Sequence, residues 1–123
     1  MKKALLVISH GSRRAASNEE VFRLTNELRK NAGTDLDRVV CAFLEITEPG
    51  IQSAIDELVA DGATEIRVFP HFLAAGVHVV RDIPRELEKA SARHPEIHIT
   101  LRPHLGALPG LSSLILGPFP STP

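Results

Sequence analysis

The chain has 123 residues, of which 43% are hydrophobic and 24% charged, and its formal net charge is -1. This composition indicates one globular domain, and the lack of a basic excess and of Trp and Tyr disfavours a nucleic-acid-binding protein. The single cysteine, Cys41, excludes an intramolecular disulfide, and no apolar run approaches the ~18 residues that a membrane span needs. We therefore expect a cytoplasmic protein that does not bind membranes.

Four short apolar runs alternate with segments of helical periodicity, which is typical of a protein with a parallel β-sheet. The strand-like runs are residues 4–9, 38–44, 65–70 and 97–101. We predict an α/β fold of three layers, in which a four-stranded parallel sheet of flavodoxin-like order 2-1-3-4 carries helices on both faces. The domain is expected to span residues 1–116, followed by a proline-rich tail at 117–123.

The helices are predicted from capping and spacing signals. Ser17 and Glu20 form a capping box, and Asp82 is a candidate N-cap two residues before Pro84. The predicted helices run from Ser17 to about Asn31, from just after Pro49 to just before Gly62, from Asp82 to Pro95, and within residues 108–116.

Polar side chains follow three of the strands at the edge of the sheet where ligands bind in open parallel folds. His10 follows the first strand, with Gly11 beside it to permit close approach of a ligand to the backbone. Glu45 follows the second strand, and His71 and His78 follow the third. Because imidazole and carboxylate groups bind divalent metals and transfer protons, these side chains are candidates for a metal or proton-transfer site.

Each candidate also has a purely structural interpretation. His71 could pack at the end of its strand, His78 could form a local backbone hydrogen bond, and Glu45 could complement the dipole of the second helix. The remaining histidines, at positions 94, 98 and 104, are not expected to form the site.

Three segments together resemble a known protein family. They are His10-Gly11-Ser12, Phe43-Leu44-Glu45 with Pro49, and residues 70–79 (PHFLAAGVHV) with Asp82-Ile83-Pro84. In this order and spacing they resemble the sirohydrochlorin cobaltochelatase and ferrochelatase family, the class II tetrapyrrole chelatases, over about residues 5–106. The resemblance implies a small, single-domain lyase that inserts a divalent metal into sirohydrochlorin during cobalamin or sirohaem biosynthesis.

The resemblance also implies roles for individual residues. His10 and His78 match the metal-binding and catalytic histidines, Glu45 matches an acidic residue that assists metal capture or proton removal, and His71 is a further candidate ligand. The metal is a substrate, Co²⁺ or alternatively Fe²⁺ or Ni²⁺, and no organic cofactor is implied. The chain matches one half of the long family members, which implies a homodimer.

The carboxylates of sirohydrochlorin need cationic or hydrogen-bonding partners. The residues expected to bind them are Ser12, Arg13, Arg14, Arg81 and Arg85.

Two other functions fit parts of the same pattern. A non-catalytic metal-binding or delivery protein of the same fold would keep the histidines and lack turnover. A phosphoryl-transfer or nucleotide-binding module built around residues 10–13 fits less well, because the chain lacks a glycine-rich phosphate-binding loop.

Overall fold

A computed structural model of the chain describes residues 2–118. The strands are β1 (Lys2–Ser9), β2 (Arg38–Phe43), β3 (Ala63–Pro70) and β4 (His98–Leu101). The helices are α1 (Ala15–Asn31), α2 (Ile51–Ala60), α3 (Ile83–Arg93) and α4 (Leu111–Leu116). All strand pairs are parallel and the order is β2-β1-β3-β4, which confirms the predicted α/β fold and strand order.

Different helices cover the two faces of the sheet. Because side chains alternate along a strand, Leu6 and Ile8 of β1 pack beneath α2 and α3, whereas Val7 packs against α1. Leu6 and Ile8 are fully buried, as is Ile55 on α2. Burial of each such side chain stabilises the fold by about 2 kcal/mol. The same alternation places His10, two residues beyond Ile8, toward the face that carries α2 and α3.

Two helices lack the side-chain caps predicted for them, although α3 begins just after Asp82 as expected. The capping box at Ser17 does not form, because α1 already begins at Ala15 and has no side-chain cap at Arg14. The prediction that Asp82 caps α3 is also wrong. Asp82 has helical backbone angles and makes no capping hydrogen bond, because a turn of π-helix, His78–Asp82, leads directly into α3. Pro84, whose ring disfavours regular α-helical turns before it, lies just after this wider turn.

The α1 face of the sheet is only partly covered. An apolar groove of about 510 Å³ lies between α1 and β3, and its walls include Leu28, Phe69 and Leu105. The short helix α4 follows, with Leu114 and Ile115 respectively 78% and 72% exposed.

The expected boundary between domain and tail stays a prediction. Gly117 and Pro118 are outside any helix, and the rest of the proline-rich tail, residues 119–123, lies outside the described residues. Within residues 2–118, no helix has both the length and the apolar character to cross a membrane.

Candidate active site

His10, Glu45 and His78 come together at the carboxyl edge of the sheet. Nε2 of His10 lies 2.6 Å from Oε1 of Glu45. The His10 and His78 rings meet edge to face, with centroids 4.5 Å apart and planes at 87°. The three side chains are 42%, 55% and 41% exposed, so the cluster is open to solvent.

Gly11 allows the segment that carries Glu45 to reach His10. Its φ of +98° lies in the region that L side chains rarely adopt, and a Cβ atom there would lie only 1.9 Å from the Glu45 carbonyl oxygen. The Glu45 backbone N–H also donates a hydrogen bond of 3.1 Å to the His10 carbonyl. The space beside Gly11 is therefore filled by this carbonyl, which disfavours a phosphate-binding role for the turn.

A tight turn and a bridging amide then fix the Glu45 segment. Ile46 has a φ of +72°, a strained conformation for a β-branched residue, and the Thr47 N–H donates to the Glu45 carbonyl at 2.7 Å. The Asn18 amide donates to the Ser12 carbonyl at 2.7 Å and to Oγ1 of Thr47 at 2.9 Å. Asn18 thus joins the loops after β1 and β2, a role that the sequence pattern did not reveal.

His78 is held by the π-helical turn before α3. Its Nδ1 lies 2.8 Å from Oδ2 of Asp82, and the Ile83 N–H donates to the His78 carbonyl. The hydrogen bond from His78 is the main reason that the pKa of the Asp82 carboxyl is below its ordinary value, and Arg81 lowers it further. The carboxylate predicted to cap a helix therefore contacts a site histidine instead.

The loop before His78 is supported from the β4 side. The Gly106 N–H donates to the Phe72 carbonyl at 3.2 Å, and a Cβ at Gly106 would lie 1.7 Å from the Leu73 carbonyl oxygen. The Phe72 ring lies 6.5 Å from the His78 ring, centroid to centroid. Glycine at position 106 thus permits close packing of the loop that positions His78.

His71 lies in the apolar groove beside α1, apart from the His10–His78 pair. Its Nδ1 is 2.9 Å from Oγ of Ser9, and burial lowers the pKa of its ring. Arg67 and Phe69 line the same groove, so the two-residue periodicity of β3, continued past its end, could have indicated this placement. The metal-binding role of His71 stays a prediction. The position of the ring in an apolar groove, away from His10 and His78, does not favour that role.

Cationic side chains are close to the cluster residues in sequence, and Arg85 shares a pocket with Glu45 and His78. The four predicted arginines, Arg13, Arg14, Arg81 and Arg85, are all exposed. Oγ of Ser12 accepts a hydrogen bond of 3.0 Å from the Arg14 N–H. A pocket of about 270 Å³ brings Arg85 next to Glu45, His78 and Asp82, and Lys89 also lines it.

Exposed apolar side chains flank the same residues and were not predicted. They are Ile46, next to Glu45, and Leu73, Val77 and Val80, around His78, with exposed fractions of 57%, 68%, 56% and 68%. An apolar surface beside the cationic side chains of Arg85 and Lys89 suits a large ligand that has an apolar body and anionic groups.

The two histidines are the side chains best placed to hold a metal ion. In the part of the chain that the structure describes, no group of three or more His, Cys, Asp or Glu side chains forms a metal site. Among those same residues, no hydrogen bond occupies Nδ1 of His10 or Nε2 of His78. An ion bound by these nitrogens would keep open coordination positions, as catalytic and transfer sites require.

A family model described as CbiX matches residues 4–117. The chain belongs to the CbiX family. This CbiX-family chain is 30% identical over 106 residues to a sirohydrochlorin ferrochelatase of Bacillus subtilis, covering 86% of the chain and 40% of that protein. It is 36% identical over 84 residues to a sirohydrochlorin cobaltochelatase of Methanopyrus kandleri, covering 68% and 57%.

The fold is also similar to a solved chelatase structure. The sirohydrochlorin chelatase SirB from Bacillus subtilis subspecies spizizenii, in complex with cobalt, superposes with a TM-score of 0.75 at 33% identity. The match covers 82% of the CbiX-family chain and 42% of SirB. The chain thus spans well under two thirds of the length of these relatives.

Proposed function

We propose that this protein inserts a divalent metal ion, Co²⁺ or alternatively Fe²⁺ or Ni²⁺, into sirohydrochlorin. The observation that carries the proposal is the His10–His78 pair, which lies edge to face at the ligand-binding edge of the sheet with Glu45 hydrogen-bonded to His10. Family membership, the names of the relatives and the cobalt in the related SirB structure support the same reaction.

Metal insertion exchanges one divalent ion for two pyrrole N–H protons of the macrocycle. In the proposed mechanism, neutral nitrogens of His10 and His78 bind the incoming ion and present it to one face of the ring. Glu45 lies 2.6 Å from His10 and is placed to accept a proton that leaves the macrocycle. The products are the metallated tetrapyrrole and two protons, so the charge balances.

Substrate binding is proposed to use both kinds of side chain around the cluster. The exposed apolar residues of the His78 segment would contact the macrocycle, and Arg13, Arg14, Arg81 and Arg85 would pair with its carboxylates, with Ser12 as a further hydrogen-bonding partner. The arrangement requires no organic cofactor.

We further propose that the protein acts as a homodimer in the cytoplasm. One copy spans 40% of the Bacillus subtilis ferrochelatase, and its site residues are roughly half exposed, so a second copy could cover the substrate. The cytoplasmic location rests on the single cysteine.

The reaction is tested by mixing the purified protein with sirohydrochlorin and each metal ion and following the absorbance of the macrocycle. We expect metal insertion faster than the uncatalysed rate with at least one of Co²⁺, Fe²⁺ and Ni²⁺. The absence of acceleration with all three would refute the proposal. If Co²⁺ nevertheless bound in a manner that depended on His78, the protein would be a metal-delivery protein instead.

A further inference from the structure

We infer that Asp82 is a positioning residue for the chelatase site, because its carboxylate holds Nδ1 of His78 and thereby presents Nε2 of the same ring to the incoming metal ion. The inference rests on the proposed function for its catalytic consequence. It assigns a role to a side chain that the sequence pattern explained as a helix cap.

The local backbone brings Asp82 to this ring. His78 and Asp82 are the first and last residues of a single π-helical turn, and Nδ1 lies 2.8 Å from Oδ2. Single π-helical turns are rare in proteins and are frequently found at functional sites. The Asp82 side chain is 29% exposed and makes no capping hydrogen bond to α3, so its contact with His78 replaces the capping role.

The chemistry of the two groups determines which nitrogen stays free. An ionised carboxylate only accepts hydrogen bonds, so Nδ1 of His78 must carry the proton that it donates to Asp82. In the neutral ring the lone pair then lies on Nε2, which has no hydrogen-bond partner among the described residues. Removal of a carboxylate that orients a metal-binding histidine in this way typically lowers metal affinity or activity by about tenfold to a hundredfold.

Among the described residues, Arg81 is the other hydrogen-bond partner of the Asp82 side chain, and Arg85, Lys89, Glu45 and Glu86 line the same pocket as Asp82. Nε of Arg81 lies 3.5 Å from Oδ1, at the limit of a hydrogen bond, and its side chain is 63% exposed. The bond to His78 is the shorter of the two, and it uses the other carboxylate oxygen. Arg81 can therefore leave for a substrate carboxylate without releasing the histidine.

The test compares Asp82→Asn with Asp56→Asn in the full chain. Asp56 accepts a hydrogen bond of 2.8 Å from Nε2 of His94 at the far end of α3, so the control makes the same chemical change in a histidine–aspartate pair away from the site. We expect Asp82→Asn to weaken Co²⁺ binding, measured by titration with the metal alone, by about tenfold to a hundredfold. Asp56→Asn should leave Co²⁺ binding unchanged.

A second measurement needs no active enzyme. In ¹⁵N-histidine NMR spectra of the metal-free wild type, recorded where the ring is neutral, His78 should carry its proton on Nδ1, and Asp82→Asn should raise the fraction with the proton on Nε2. A wild-type His78 protonated on Nε2, or equal Co²⁺ affinities of the two variants, would overturn the inference. Failure of the chelatase assay with these two results intact would refute the proposed function alone.

Discussion

At the scale of single residues, each site histidine is paired with a carboxylate through one ring nitrogen. Glu45 occupies Nε2 of His10, and Asp82 occupies Nδ1 of His78. Glu45 belongs to a segment 35 residues beyond His10, whereas Asp82 lies in the same π-helical turn as His78. Each pairing fixes a ring and leaves the other nitrogen available to a ligand.

His71 differs because its environment disfavours the charged ring. Burial lowers its pKa, so below the ordinary histidine value of about 6.5 the unfolded chain binds a proton at this position that the folded chain does not. The contribution of His71 to the free energy of unfolding should therefore decrease as the pH falls from about 7.5 to about 5.5. The variant His71→Asn lacks this contribution, so its free energy of unfolding should fall less than that of the wild type over the same pH range.

Urea denaturation of the wild type and the variant at the two pH values measures the effect. His98→Asn, at an exposed position on β4, serves as the control and should behave like the wild type. Equal pH dependence in the wild type and in His71→Asn would contradict the burial of a neutral ring.

At the scale of elements, the site is built by contacts between loops that are distant in sequence. The loop after β1 contacts the Glu45 segment through Gly11 and Asn18, and the loop after β3 contacts Gly106. These contacts, rather than the ends of single strands, position the side chains.

Gly11→Ala tests the closest of these contacts. The added Cβ would overlap the Glu45 carbonyl, and the positive φ is about 1–2 kcal/mol less favourable for alanine than for glycine. We therefore expect the free energy of unfolding to fall by at least about 1 kcal/mol. Co²⁺ binding should weaken as well, because Glu45 must move away from His10.

Gly110→Ala is the matched control, since its φ is -87° and a Cβ there would meet open space. Denaturation and Co²⁺ titration of both variants provide the comparison. Equal stability of the two variants would show that the loops are not in the contact described.

The predictions from sequence succeeded where burial of apolar side chains determines the structure. Apolar periodicity correctly indicated the sheet and three long helices, because burial of these faces dominates their formation. The strand order was predicted from the common order of flavodoxin-like folds and is confirmed. The predicted cap at Asp82 failed because its carboxylate contacts His78 in the preceding turn instead of the first N–H groups of α3. The predicted cap at Ser17 failed because α1 already begins at Ala15. The bridge from Asn18 to Thr47 joins segments that are distant in sequence, so no local pattern could have indicated it.

At the scale of the whole molecule, one copy offers an open surface rather than an enclosed cleft. The histidine pair comes from a single chain, but in one copy of residues 2–118 the apolar side chains near it, such as Ile46, Leu73 and Val80, are exposed. A dimer would cover this surface while leaving two equivalent histidine pairs.

The proposed homodimer leads to two expected results. Light scattering after size-exclusion chromatography should give twice the 13.4 kDa mass of the chain. Mixing His10→Ala with His78→Ala subunits should not restore metal insertion, because no subunit then has both rings of the 4.5 Å pair. A monomeric mass would contradict the dimer, and restored activity would contradict a site whose histidines both come from one chain.

The central claim is that His10 and His78 carry the metal ion into the macrocycle. The most direct measurement is the initial rate of Co²⁺ insertion into sirohydrochlorin by the wild type, His10→Ala, His78→Ala and the exposed-site control His98→Ala. We predict that each of the first two variants loses about a hundredfold or more, the scale of losing a positioned proton-transfer or ligand group, while His98→Ala keeps the wild-type rate. Rates for His10→Ala and His78→Ala equal to that of His98→Ala would contradict the claim.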